Sequence, residues 1–215
     1  MGAKQDTLTS MLAGLGSITT GSVRYPRVSD IVQSRISGEI DRVYRLLGGQ
    51  LPAVPAGFGG WDLEVNGAAI ELDEQLHFNR YRAATLESAA YAELPWFPRA
   101  DYMQYCEQFE GECIRAGSYG GKWTNASCEK QFGPAGGHRD LSGHGAPRWK
   151  QRAFYDFVKD LSPLLVGVQV VRISVWDRVP GVEHRLVGET FEARDTTAAS
   201  AILSLLRDRG LGNGS

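Results

Sequence analysis

Hydrophobic and polar residues alternate with a period of two between Trp61 and His77, in two runs joined by Asn66-Gly67. Side chains of a strand point to opposite faces in turn, and Asn-Gly supplies the two positive φ angles of a two-residue type I′ turn, so the stretch predicts a β-hairpin. Counting outward from the turn pairs Val65 with Ala68, Leu63 with Ile70 and Asp62 with Glu71. One face is then apolar, and the other carries the carboxylates of Asp62, Glu64, Glu71 and Asp73. Opposed like charges destabilise a strand pair unless something positive stands between them, and a divalent metal ion would serve. The alternative is a solvated acidic face.

Helical spacing accounts for most of the remainder. Ser29 can cap a helix whose apolar residues Ile36, Ile40, Val43 and Leu47 share one stripe and which stops at Gly48-Gly49. Glu39 lies in that stripe, so it is either paired with an arginine or functional. Leu51 to Gly60 holds two prolines and three glycines and reads as a loop or short edge strand. Helices are expected from about His77 to Leu94 and from Tyr102 to Ile114. Nine glycines between Gly111 and Gly145 mark an ordered loop that could form a lid. Pro147 opens a helix with Phe154, Phe157, Val158 and Leu161 on its buried side, ended by Ser162-Pro163. The run Val168 to Trp176 predicts a central strand covered on both faces. Val182 to Phe191 predicts another strand, and Asp195 caps a last helix containing Ile202, Leu203, Leu205 and Leu206.

A chain of 215 residues with 42% hydrophobic and 22% charged residues suits one globular domain, residues 1–215. Within it, 1–27 read as a loosely packed arm, 28–194 as a core with an insertion at 98–146, and 195–215 as a C-terminal helix and tail. A net charge of −2 excludes a strongly basic nucleic-acid coat while leaving room for a local positive groove. No run approaches a membrane span and no signal h-region is present, so no membrane partner is expected. Three cysteines, an odd number, then imply reduced thiols and a cytoplasmic location.

Carboxylates facing one another across a hairpin make a hard oxygen site of the kind Mg²⁺ or Mn²⁺ prefers. Such an ion stabilises charge on a phosphoryl oxygen and lowers the pKa of an attacking water. Lys150 precedes Phe154, Phe157 and Leu161 by four, seven and eleven residues, so it points inward and can handle that water, with Gln75 and His77 as alternatives. Arg80, Arg82, Arg148, Arg152 and Lys122 can contact phosphates, and Trp149 or Trp123 can stack on bases. Each has a plainer role: Arg80 and Arg82 as a solvated helix face, His77 as a cap, Lys150 snorkelling outward.

The order of helix, Asp62-bearing strand, tight turn, Ile70-Glu71-Leu72-Asp73 strand, helix and Val170-Val171-Arg172-Ile173-Ser174-Val175-Trp176 resembles the PD-(D/E)XK nuclease superfamily over residues 28 to 178. The nearest branch is the one similar to very-short-patch-repair endonucleases. The chain also looks like an uncharacterised bacterial family sharing its segments 76–82 (Leu-His-Phe-Asn-Arg-Tyr-Arg) and 148–155 (Arg-Trp-Lys-Gln-Arg-Ala-Phe-Tyr). The resemblance implies an α/β fold with a restriction-endonuclease-like αβββαβ core, a Gly-rich insertion and a C-terminal strand-helix extension. It further implies metal ligation by Asp62 and Glu71, with Glu39 matching a helical acid that some members add, and Asp73 and His77 in the catalytic stretch. Asp73 stands where the motif usually has lysine. Gln151 and Tyr155 resemble the Gln-x-x-x-Tyr element of the RecB-type branch, which helps hold DNA.

The expected function is therefore a metal-dependent DNA endonuclease, and the superfamily's habits imply a homodimer. One alternative keeps the fold without catalysis, as a nucleic-acid-binding or assembly protein. A third is an interaction module stapled by Zn²⁺ on Cys106, Cys113, Cys128 and His138, although their spacing matches no standard zinc pattern.

Overall fold

The structure, a computed structural model, describes residues 2–14, 23–55 and 57–212. The hairpin forms as counted: Asn66 and Gly67 have φ of 52° and 76°, β1 (Leu63–Val65) pairs antiparallel with β2 (Ala68–Asp73), and Leu63 lies opposite Ile70. Strand β3 (Val170–Ser174) runs parallel to β2, with Glu71 opposite Arg172 and Asp73 opposite Ser174. The sheet order is β1-β2-β3, which makes β2 the central strand and corrects the expectation for β3. All five residues of β3 are nonetheless buried, because helices cover its faces and Arg209 Nη1 donates to the Arg172 carbonyl at 3.0 Å.

Twelve α-helices surround this sheet among the described residues. Helices α1 (Ala3–Gly14), α11 (Val187–Glu192) and α12 (Ala199–Asp208) pack on one face, where Leu8, Met11, Phe191, Ile202 and Leu206 join Ile70, Leu72, Val171 and Ile173 in a single apolar cluster. On the other side a larger cluster is built from α2 (Val28–Gln33), α3 (Ser37–Leu46), α4 (Arg80–Leu86), α5 (Arg99–Gln108), α8 (Ala126–Phe132) and α9 (Pro147–Asp160). Helix α6 (Glu110–Gly117) follows α5 after a single residue, α7 (Gly120–Trp123) lies before α8, and α10 (Ser162–Val166) continues α9. The period of two puts Ile70, Leu72, Val171 and Ile173 toward the first cluster and Glu71, Asp73, Arg172 and Ser174 toward α9. The face of the sheet turned to α9 is therefore charged and buried.

Several expectations change. The arm is instead anchored through α1, whose Leu8, Met11 and Leu12 are spaced to bury together; residues 15–22 of it, like the last three of the tail, lie outside the described residues. The helix expected from His77 to Leu94 is interrupted, because the Asn79 side chain accepts from Tyr81 N and Arg82 N and Ser88 accepts from Ala90 N, opening new turns. Val182 to Phe191 is not a strand: the Glu189 carboxylate accepts from Leu186 N at 3.0 Å and starts α11, which buries Val187 and Phe191 one turn apart. The glycine-rich insertion contains α6, α7 and α8. The fold is mixed α/β, with two strands rather than three before the long helix α9 among the described residues. No helix among them is long and apolar enough to cross a membrane.

Candidate functional site

The acidic face of the hairpin and one side of α9 enclose a cavity of about 450 Å³. Asp62, which immediately precedes β1, and Glu71 on β2 both line it, next to the Leu63–Ile70 pair. Asp62 is held by Leu72 N, which donates to its Oδ2 at 2.8 Å. Glu71 is buried and meets Lys159 from α9, whose Nζ lies 2.7 Å from Oε1; Arg172 Nη1 stands 3.8 Å from Oε2. Lys159 also donates to the Gly60 carbonyl at 2.8 Å, and its ammonium sits 5.3 Å from the centre of the Trp61 ring. Burial pushes the Glu71 carboxyl up to about 7; Arg172 and Lys159 pull it down, and the charge of Asp62 adds to the rise. The two acids thus line one cavity, close enough for the charge of Asp62 to raise the Glu71 pKa.

His77 lines the same cavity from a single 3-10 turn, Gln75–His77. Its Nδ1 lies 2.8 Å from Asp156 Oδ2 and 3.1 Å from Asp73 Oδ1. Two carboxylates at Nδ1 fix the proton there, which leaves Nε2 as the nitrogen able to accept one. Asp73, Asp156 and His77 form the one group of three or more candidate metal-binding side chains among the described residues. Arg172 already serves both acids, through Nη1 at 2.7 Å to Asp73 and 3.4 Å to Asp156, and Tyr102 donates to the second Asp73 oxygen at 2.8 Å. Burial opposes ionisation of Asp156, but His77 and Arg172 outweigh it and hold the carboxyl well below its usual range. This cluster reads as a satisfied ion network that orients an imidazole.

The far wall is cationic. Lys122 from α7 and Arg148 and Arg152 from α9 line the cavity, with Tyr155 and Gln75. Their hydrogen bonds go to neutral groups: Lys122 Nζ to Tyr119 Oη at 3.0 Å and to the Ala116 carbonyl at 3.3 Å, Arg152 Nη1 to the Leu76 carbonyl at 3.3 Å, and Arg148 to the Gln151 side chain.

Other expected site residues lie elsewhere. Glu39 is closed off by a two-bond ion pair with Arg42 at 2.7 and 2.8 Å and by Ser88, so it cannot complete a metal shell with Asp62 and Glu71. Asp73 faces Arg172 rather than the cavity. Lys150 points inward as expected, yet its Nζ rests 5.5 Å from the Tyr81 ring centre and it does not line the cavity. Arg82 is wholly buried against Asp160 at 2.6 Å, and Arg80 is bound to Glu110 at 2.7 Å, so neither is a free phosphate contact. Gln151 is buried and bonded to Arg148. Trp149 is buried, donating to the Lys122 carbonyl at 3.0 Å, and Trp123 packs edge-on against it, which removes both as base-stacking surfaces. Cys106, Cys113 and Cys128 are buried free thiols, and among the described residues no group of candidate metal ligands contains any of them.

Sequence reading missed Lys159, Asp156 and Arg172. A signal existed for each: Arg148, Arg152, Asp156 and Lys159 fall at successive helical turns as a polar stripe on an otherwise buried helix, and Arg172 is a lone charge inside an apolar run. No curated protein and no solved structure matches the chain. Residues 42–192, which hold the hairpin, the cavity helices and β3, match the model of the family described as "Family of unknown function (DUF7255)", and the chain belongs to that family.

Proposed function

We propose that this chain is a metal-dependent phosphodiesterase that hydrolyses nucleic acid in the cavity between the acidic hairpin and α9. The observation that carries this reading is the meeting of Asp62, Glu71 and Lys159 in one cavity whose opposite wall bears cations without an ion pair among the described residues. Two acids and an amine are the set that the PD-(D/E)XK resemblance asks for. Here the amine comes from α9, in place of the position on β2 that Asp73 occupies.

The donor set fits Mg²⁺ or Mn²⁺. Both carboxylates offer hard oxygens, and the pKa of Glu71, raised by burial and further by the charge of Asp62, is one that a bound divalent cation would lower. Asp62 and Glu71 would hold the ion, which supplies Lewis-acid stabilisation of the phosphoryl charge and a more acidic water. Lys159 fixes the orientation of Glu71 and presents positive charge beside the reacting group. His77, its Nδ1 proton held by Asp156 and Asp73, takes a proton at Nε2 from the attacking water and can return it to the leaving ester oxygen. The water oxygen bonds to phosphorus as the ester P–O bond breaks, and the cationic wall holds the phosphate for in-line attack.

The test is incubation of plasmid and end-labelled oligonucleotides with pure protein and Mn²⁺ or Mg²⁺, beside Asp62→Ala and Glu71→Ala. Cleavage by the wild type that both variants lose supports hydrolysis. Intact substrate with a retained gel shift supports the non-catalytic binding protein instead.

A further inference from the structure

Two of the three cations on the far wall are placed at an energetic cost. Arg148 and Arg152 stand one helical turn apart on α9, where like charges repel; burial and Arg148 both lower the pKa of Arg152, while Asp156 attracts it without forming an ion pair. Both arginines, with Lys150, also fall in the first two turns of α9, the positive end of the helix dipole, and its first turn has no acidic residue. Lys122 approaches the same cavity from α7. None of the three cavity cations is in an ion pair among the described residues; their partners are carbonyls, an amide and a phenol. Such a cluster calls for an anion.

The shape of the cavity narrows what that anion belongs to. Its volume, about 450 Å³, lies within the roughly 300–1,000 Å³ of a small-molecule site. It is walled by the hairpin, the 3-10 turn, α6–α7 and α9, and its volume suits a single nucleotide with its phosphate. Beside Lys122 stands Tyr119, 53% exposed, with the Lys122 ammonium 5.0 Å from its ring centre. An exposed aromatic next to phosphate-binding cations is the arrangement that receives an unstacked base.

We propose that the cavity binds a single-stranded polynucleotide, with one backbone phosphate held by Lys122, Arg148 and Arg152 and a neighbouring base stacked on Tyr119. This specificity rests on the reading of the cavity as a phosphodiester site and selects among its substrates. A duplex enters only where it is frayed or flapped.

The experiment measures fluorescence anisotropy of labelled 12-nucleotide single-stranded DNA, single-stranded RNA and the same DNA as a duplex, in EDTA, so that no hydrolysis is required. The expected result is that at least one single strand binds ten times or more tighter than the duplex, the DNA and RNA arms telling which sugar is preferred. Lys122→Gln and Arg152→Gln each weaken that binding and make its log–log salt dependence shallower by about 0.7. Tyr119→Ala weakens single-strand binding at least fivefold and duplex binding little. Lys122 and Tyr119 are exposed, so their variants stay folded even if Arg152→Gln does not. Equal or tighter duplex binding, no binding to either strand, or unchanged affinity in both Lys122→Gln and Tyr119→Ala overturns the proposal. Cleavage with Mn²⁺ is scored separately. Strand-selective binding without hydrolysis sinks the enzyme and spares this inference, whereas hydrolysis of intact duplex without single-strand preference does the reverse.

Discussion

Two groups of charges lie against the same face of the sheet, and they are finished to different degrees. Around Arg172 every charge has its counterpart: Nε reaches Asp160 at 2.7 Å, Nη1 reaches Asp73 at 2.7 Å, and Asp160 is shared with Arg82 at 2.6 Å and with the Tyr91 hydroxyl at 2.6 Å. In the cavity next to it, Glu71 keeps a raised pKa and three cations have no acid in an ion pair among the described residues. Buried charge that is fully paired specifies packing; charge left over in a cavity that water can enter is available to a ligand. The boundary runs through His77, whose Nδ1 belongs to the first group while its ring lines the second.

The largest effect is expected where the network is closed. Arg172→Met leaves Asp73, Asp156 and Asp160 without their shared cation and lowers unfolding free energy by about 3–5 kcal/mol, because breaking one side of a buried pair strands the other charge. Urea unfolding measures it. A loss below about 1 kcal/mol would mean that the network carries little and that the contrast with the cavity is false.

Lys159→Met tests the open side. Its loss also strips a partner from a buried carboxylate, but Glu71 is near neutrality already and can protonate, so stability changes less than at Arg172. If the cavity hydrolyses phosphodiesters as proposed, the rate should fall about a hundredfold or more, as when a group that stabilises developing charge is removed. Because the deficit includes protonation of Glu71, part of the rate returns between pH 7 and 9. A rate unchanged by the substitution removes Lys159 from the proposed machinery.

Glu71 also sets a pH dependence of stability. Its carboxyl titrates near 4.5 when unfolded and at about 7 when folded, so between those values the folded state binds the extra proton. The Glu71 contribution to stability is greatest below the lower value and falls as pH rises through the window, by up to about 3 kcal/mol. Glu71→Gln should flatten this fall, and Mn²⁺ should raise the melting temperature of the wild type more at pH 8 than at pH 5.5. Thermal melts across pH 5 to 8 decide it: a parallel profile in the variant would show that Glu71 is not the group under strain.

The sequence told the open region better than the closed one. Asn66-Gly67 imposes a turn by local backbone preference alone, and the period of two then fixes which side Asp62 and Glu71 occupy, so both acids could be placed without knowing the rest of the chain. Arg148 and Arg152 were legible as candidate phosphate contacts, and both line the cavity. Lys159 and Asp156 were not assigned, because they look like ordinary solvated positions until α9 is docked on the sheet. Arg172 reads as an interruption in a strand; only the parallel pairing of β2 with β3, a contact across about a hundred residues, turns it toward Asp73. Glu39 and Arg82 misled for the opposite reason: residue type suggested chemistry, and nearby partners had already used it.

Arg80 supplies the smallest expected effect and the sharpest control. It was a candidate phosphate contact by composition, yet Glu110 holds it through three hydrogen bonds, two of them from the guanidinium, at the surface away from the cavity. With the arginine side chain 54% exposed, solvent screens the pair, and Arg80→Ala should cost no more than about 0.5–1 kcal/mol. If the unpaired cations of the cavity bind the polynucleotide, this variant keeps wild-type affinity and salt dependence while Lys122→Gln loses both. Equal losses from the two would mean that binding follows total surface charge, since a paired surface arginine and an unpaired cavity lysine would then count alike.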